Sequence, residues 1–271
     1  MPQQFVRLIA EWVTLALGAW AGAWAGSGAS VDLASADVSA PVPEVVFVVE
    51  SVVNASPAIE AATELLIPVL LVPGWGDQAV SLVPLRRRFT EAGWPESRVS
   101  ILSFSDPVGS NADHAADINR AVRVLRGLTG EPRVDIVAHS MGGLATRQFL
   151  LAGGEAVAVR RAVFLGTPHR GSVVAVLSWG EGGREMVPGS AFLTRLNGER
   201  AVPEGVRALS LRTPMDSRVI PASSAILYGE GVSNIELCCP THTALVDDER
   251  TFREVLDFLL ANGVLQKARG P

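Results

Sequence analysis

The chain has 271 residues, enough to bury one large core and, with an N-terminal extension set aside, closer to one catalytic-sized domain than to two. It is 48% hydrophobic and 19% charged with a mean hydropathy of +0.29, apolar for a soluble protein, in part because of its first thirty residues. The formal charge of −5 is mild and Lys267 is the only lysine, which excludes a polybasic stripe and with it a nucleic-acid partner.

In chain order, residues 1–30 carry Arg7, an apolar stretch from Trp12 to Ala25 and the small-residue string AGSGAS. That is the order of a secretory signal peptide, which predicts a secreted, extracellular protein. Extension of the apolar stretch toward Val6 gives the alternative, a membrane anchor. Residues 31–67 are acidic and rich in Ala, Val, Ser and Pro, the composition of a linker or N-terminal extension. Within them EVVFVVESVV, at 44–53, is apolar enough to add a strand to the domain edge.

The catalytic-sized domain is expected over 68–265. Short apolar runs at 68–72, 99–103, 134–138, 161–165, 206–211 and 234–237 read as buried strands. Amphipathic segments at 82–93, 112–128, 143–153 and 249–260 read as helices between and after them. The triplet Arg86-Arg87-Arg88 falls in the first and reads as a solvated helix face. Strands alternating with helices predict an α/β protein, its mostly parallel sheet covered on both faces. In such sheets function collects in the loops beyond the carboxyl ends of the strands.

Those loops hold a set of reactive residues. The run VDIVAHSMGGLAT places Ser140 on a tight strand-to-helix turn, with Ala138 and Gly142 as the small neighbours such a turn needs two residues to either side. Alanine at the first of these departs from the usual G-x-S-x-G by one methyl group. The helix that follows aims its N-terminal amides at any anion forming beside Ser140.

A serine nucleophile needs a base, and there are four histidines. His139 adjoins Ser140 and should project away from it, in a packing or hydrogen-bonding role. His114 precedes the nucleophile and reads as a surface or loop residue. His169, in LGTPHRGS, lies past a strand end and is early for the base. The chain order Ser, acid, His of hydrolases with this elbow selects His242, in CCPTHTALVDDERTF. Asp216, in LRTPMDSRVIP, is the one aspartate between Ser140 and His242, with Glu230 and Glu236 as fallbacks. Its expected role is to hold the imidazole tautomer and stabilise the imidazolium. Oxyanion donors are expected at the Met141 amide and, in the loop LLVPGWGDQ, at the Trp75 amide; Trp75 also reads as a hydrophobic wall of the cleft. Cys238 and Cys239 are chain neighbours, and a Cα spacing of about 3.8 Å argues against an ordinary disulfide between them.

Together VPGWGD, VDIVAHSMGG, VFLGTPHRGS, PMDSRVIP and THTALVDD resemble the bacterial lipases and esterases of the α/β-hydrolase fold, close to the small secreted triacylglycerol lipases. The resemblance runs from Pro68 to Leu260. It implies nucleophile Ser140, acid Asp216, base His242 and oxyanion donors Trp75 and Met141. Two features depart from the pattern: Pro73-Gly74 stands where family members often have His-Gly, and no disulfide is expected. Residues 171–204, with PGSAFLTRLN, resemble a cap segment. Val174, Leu177, Trp179, Phe192 and Leu193 are expected on its apolar side, facing the cleft, with Trp179 and Phe192 as substrate-binding residues and its motion to admit an acyl chain; packing of these residues into the core alone is the alternative.

The expected activity is hydrolysis of carboxylic esters, of lipid acyl chains above all, through an acyl-enzyme and with no metal or organic cofactor. The expected partners are a lipid or small-molecule ester and a lipid interface. An acyltransferase using the same triad, and a noncatalytic lipid-binding protein on the same fold, are the alternatives.

Overall fold

A computed structural model describes residues 66–261; the signal or anchor, the linker and the edge strand expected before Leu66 lie outside the described residues. Six strands form one sheet: β1 (Val69–Val72), β2 (Val99–Ile101), β3 (Val134–His139), β4 (Val159–Leu165), β5 (Arg207–Arg212) and β6 (Val232–Glu236). All pairings are parallel and the order is β2-β1-β3-β4-β5-β6. The helices are α1 (Val83–Glu91), α2 (Asn111–Thr129), α3 (Met141–Ala152), α4 (Gly180–Glu185), α5 (Ala191–Gly198) and α6 (Glu249–Leu260).

Alternation along the strands sorts the core into two layers, because successive side chains point to opposite faces. Leu70, Val72, Ile136, Ala138, Ala162 and Phe164 pack against Ile118, Val122 and Leu125 of α2 and Phe149 of α3. Val69, Leu71, Val137, Val163, Leu209 and Leu211 pack against Leu85 and Phe89 of α1 and Phe252, Val255 and Leu259 of α6. Both faces are dry, so the strands read as continuous apolar runs. Local signals set the helix ends: Ser110 caps α2 by accepting from the Asp113 amide, left-handed Gly130 ends it, and Asp248 caps α6 by accepting from the Thr251 amide.

The topology also fixes where a ligand can sit. After β1 the chain crosses one way to β2, and after β3 it crosses the other way to β4, so the crevice beyond the carboxyl ends of β1 and β3 is the topological switch point. The loop after β1 is VPGWGD and the residue after β3 is Ser140.

One expectation is corrected. His114 is buried, stacked on Phe104 at 3.9 Å, with Nε2 2.6 Å from the Asp106 carbonyl, because α2 begins against the loop after β2. The Arg86–Arg88 face lies at the surface as expected, its charges paired there, Arg86 with Glu96, Arg87 with Glu91 and Arg88 with Asp247.

Candidate active site

Ser140 has φ 53° and ψ −130°, and among the described residues it is the only non-glycine at positive φ. Strain of this kind persists only where neighbours enforce it. On the upstream side the Ser140 amide donates to Leu165 O at 2.8 Å, extending the β3–β4 pairing past the strand end. On the downstream side α3 is pressed against its surroundings: a Cβ on Gly142 would lie 2.2 Å from Pro73 O, and one on Gly143 2.0 Å from Thr167 Oγ1. Ser140 is the N-cap residue of α3, yet its hydroxyl does not cap the helix. It is directed to an imidazole instead.

That imidazole is His242. Ser140 Oγ lies 3.0 Å from His242 Nε2, and His242 Nδ1 lies 2.7 Å from Asp216 Oδ2. The second oxygen of Asp216 accepts from the Arg218 amide at 2.9 Å and the Val219 amide at 2.7 Å. A carboxylate fixed at both oxygens makes Nδ1 the donor, which leaves the Nε2 lone pair facing the serine hydroxyl. Burial disfavours the charged form of Asp216, but the hydrogen bond and charge of His242 and the two amides outweigh it and hold the carboxyl below its ordinary pKa. Burial lowers the pKa of His242, and the Asp216 hydrogen bond opposes it only in part.

Sequence separates these residues widely and the sheet gathers them. Ser140 follows β3 directly, Asp216 lies four residues past β5, and His242 six past β6, all beyond the carboxyl edge. Gly166 ends β4 at φ +58°, and a Cβ there would stand 3.1 Å from His242 Nδ1. Only glycine suits that backbone at that approach. Its signal in the sequence was the LGTP turn, unremarked there as a support for the base.

The oxyanion loop lies beside the serine: a Cβ on Gly74 would be 2.9 Å from Ser140 Cβ. Neither the Trp75 nor the Met141 amide has a backbone acceptor among the described residues. The Trp75 ring packs edge-on to Trp179 at 4.5 Å and its Nε1 donates to Trp179 O at 3.0 Å. A cavity of about 250 Å³ opens over Ser140 and His242, walled by Trp75, Val174, Ala175, Met186 and Val219 with Arg218 at its edge. A larger groove, about 760 Å³, lies near the amino ends of β4 and β5, lined by Leu150, Val157, Arg200 and Glu204, and contains neither serine nor histidine.

The segment 171–204 holds a turn at Val173–Leu177 followed by α4 and α5. Its expected apolar side is split. Val174 lines the cavity, but Phe192 and Leu193 are buried below it against Met141 and Leu144, so Phe192 does not face the cleft. The turn of α5 after its Ser190 cap carries both residues inward. Leu177 and Trp179 are exposed outside the cavity rather than lining it. His169 is fully buried against Ser210 Oγ at 3.3 Å, and burial holds its pKa well below the ordinary value. It lies beneath the cleft floor, not in it. The glutamates held in reserve are elsewhere: Glu236 pairs with Arg212 at 3.0 Å and Glu230 is exposed.

Comparison with known proteins accords with this arrangement. The structure resembles lipase B of Aspergillus fumigatus with a TM-score of 0.65 at 19% identity, over 77% of this chain and 58% of that one. This chain thus spans less than two thirds of the fungal lipase. It also resembles the mature lipase BlEst2 of Bacillus licheniformis, with a TM-score of 0.62 at 16% identity, over 71% of this chain and 91% of that one. Likeness at such identities is one of fold. Residues 66–237 match the family of class 2 lipases, a stretch that holds Ser140 and Asp216 and stops just short of His242. With more than half of its length in that match, the chain belongs to the class 2 lipases, lipolytic hydrolases of the α/β-hydrolase fold.

Proposed function

We propose that the protein is a serine carboxylic-ester hydrolase acting on lipid acyl esters, with Ser140, His242 and Asp216 as its catalytic triad. The observation that carries this reading is the continuous hydrogen-bonded chain from Asp216 through His242 to Ser140 at the floor of a cavity that has Trp75, Val174, Ala175, Met186 and Val219 in its wall. Ser140 Oγ attacks the ester carbonyl carbon as His242 Nε2 takes its proton. The tetrahedral oxyanion is met by the amides of Met141 and Trp75, each donor worth about 2.7 to 4 kcal/mol where one is removed. Collapse expels the alcohol, which takes the proton from His242. Water then attacks the acyl-enzyme, gives its proton to His242, and the acid leaves as the proton returns to Ser140. No step calls for a metal or organic cofactor.

A lipid substrate is supported by the apolar rim. Val176, Leu177, Trp179, Met215 and Ile220 are exposed and lie within three residues along the chain of the lining residues Ala175, Ser178, Arg218 and Val219. The order of charge, apolar stretch and small residues in 1–30 supports a location outside the cell or, if that segment is retained, at a membrane surface.

The test is release of p-nitrophenol from a series of acyl esters, with Ser140→Ala as the blank and fluorophosphonate labelling of Ser140 alongside. Wild type is expected to hydrolyse the series and to be labelled, and the variant to do neither. Hydrolysis surviving in Ser140→Ala would overturn the mechanism. New ester formed in preference to free acid, when an alcohol competes with water, would make it an acyltransferase.

A further inference from the structure

His139 is set between the last buried residue of β3 and the serine, and its ring is 4% exposed. Of its two ring nitrogens one has a hydrogen-bond partner among the described residues. Its Nε2 lies 3.1 Å from the carbonyl oxygen of His242. A carbonyl can only accept, so Nε2 carries the hydrogen and donates it. In the neutral ring Nδ1 is then the lone-pair side. It faces Asp77 Oδ2 at 3.7 Å, beyond direct hydrogen-bond reach. The two imidazoles stand 4.8 Å apart at 45°.

Three loops converge here. His139 belongs to the nucleophile strand, Asp77 to the oxyanion loop and His242 to the loop after β6. A Cβ on Gly74, in the loop of Asp77, would lie 2.9 Å from Ser140 Cβ, 3.1 Å from Asp77 Oδ2 and 3.4 Å from His139 Nδ1.

The base loop has need of a tether. It runs from Leu237 to Asp248 with Thr241 and Thr243 exposed on either side of His242, outside any long helix or strand. Its other holds are to neighbours: Thr213 Oγ1 donates to Pro240 O at 2.7 Å, and the Leu245 amide to Thr241 O at 3.2 Å. Among the described residues the bond from His139 is the one made to the main chain of His242 itself.

We propose that His139 is a positioning residue for the catalytic base: its Nε2–H, donated to the carbonyl oxygen of His242, fixes that imidazole between Asp216 and Ser140. The proposal rests on the ester-hydrolase reading, but it concerns a residue that touches no reacting atom. A misplacement of about 1 Å in a catalytic group costs on the order of 100-fold in rate. One lost tether of several should cost less, about tenfold, and should fall on kcat, because the apolar walls Trp75, Val174, Ala175, Met186 and Val219 are unchanged, although His139 itself borders the cavity beside Ser140.

Three variants separate the donor from mere polarity and bulk. Glutamine brings its amide nitrogen to the reach of Nε2, asparagine only to that of Nδ1, and leucine has no donor. For His139→Leu and His139→Asn, kcat on a soluble p-nitrophenyl ester is expected to fall about tenfold with KM within about twofold. For His139→Gln, kcat is expected to return to within about threefold of wild type. Melting temperatures are measured for each, and if His139→Leu does not fold, the Gln–Asn pair decides. A Gln variant no better than Asn, a loss carried by KM, or no loss in any variant would overturn the proposal. Labelling of Ser140 by fluorophosphonate reads the same ranking without an ester. A wild type that is labelled but hydrolyses no ester would therefore overturn the ester-hydrolase reading while leaving this test intact.

Discussion

The turn at Ser140 and the segment 171–204 border the same cavity and are built in opposite ways. Around Ser140 contact dictates each position: a strained φ, two glycines against Pro73 and Thr167, and a serine that gives up its capping bond to reach His242. In 171–204 short turns are clipped down at a few polar points, while Val173, Val176, Leu177 and Trp179 remain exposed. Chemistry demands sub-ångström placement and so consumes conformational freedom; a surface that admits varied acyl chains needs only apolar area. The comparison predicts large, discrete losses at the first region and small, substrate-dependent ones at the second.

The largest loss is expected at the acid. Asp216→Asn leaves the shape intact but frees His242 to adopt the wrong tautomer, and kcat should fall on the order of 10⁴-fold. The pH profile sharpens the assignment. kcat/KM requires neutral His242, so activity is present above its pKa and lost as pH falls through it. Burial lowers that pKa, so the acid limb of wild type should lie below the ordinary imidazole value of about 6.5. Asp216 raises it, so in Asp216→Asn the limb should move lower still. A limb above the ordinary value, or one that moves upward in the variant, would remove His242 as the base.

Next in size is the contact that presses α3 against the site. Gly143→Ala puts a methyl group 2.0 Å from Thr167 Oγ1, 2.6 Å from its Cγ2 and 2.8 Å from its Cβ. Overpacking of this kind costs about 1–3 kcal/mol, read as a shift in the denaturant midpoint. Adding Thr167→Ala removes the two nearest atoms and should restore part of the loss, whereas strictly additive effects would mean the clash is relieved by moving α3.

Much of this was legible in the sequence because it depends on pattern. Alternating apolar runs and amphipathic segments located the six strands and the long helices, and the sheet then brought Ser140, Asp216 and His242 together in the order the elbow implies. Gly166 against His242 and His139 beneath the base loop were not legible, since each depends on a close approach between segments far apart in sequence. Which of the two readings of the cap holds at Phe192 was not legible for a related reason. An apolar residue in a short helix has no long period to say whether it faces the cleft or the core, and here the Ser190 cap sets the rotation.

A third prediction concerns what holds the cap. Arg147 of α3 is fully buried and donates to Leu196 O at 3.2 Å, Asn197 Oδ1 at 2.9 Å and Ala201 O at 3.2 Å; burial lowers its pKa to about 10, leaving it charged. Arg147→Met fills the space but strands three acceptors, at a cost of about 1–3 kcal/mol. Amide exchange should quicken across α5 while β3 keeps its protection, since the elbow does not lean on those bonds. Equal loss of protection in both would show cap and elbow to be one cooperative unit.

The smallest effect should come from the rim, where two exposed residues serve as different probes. Trp179 is 67% exposed but its ring and carbonyl also engage Trp75, so Trp179→Ser disturbs both the rim and the oxyanion loop. Leu177 is 82% exposed and lies on the rim alone. Full burial of a leucine is worth about 1.5–3 kcal/mol, and partial insertion into an acyl surface a fraction of that. Leu177→Ser should therefore lower hydrolysis of an emulsified long-chain ester about threefold and leave a soluble short ester unchanged. Trp179→Ser should lower both, the soluble ester through Trp75. If Leu177→Ser slows the two esters equally, the exposed turn is supporting the catalytic loops instead of meeting lipid, and the division between a rigid chemical centre and a permissive rim is drawn in the wrong place.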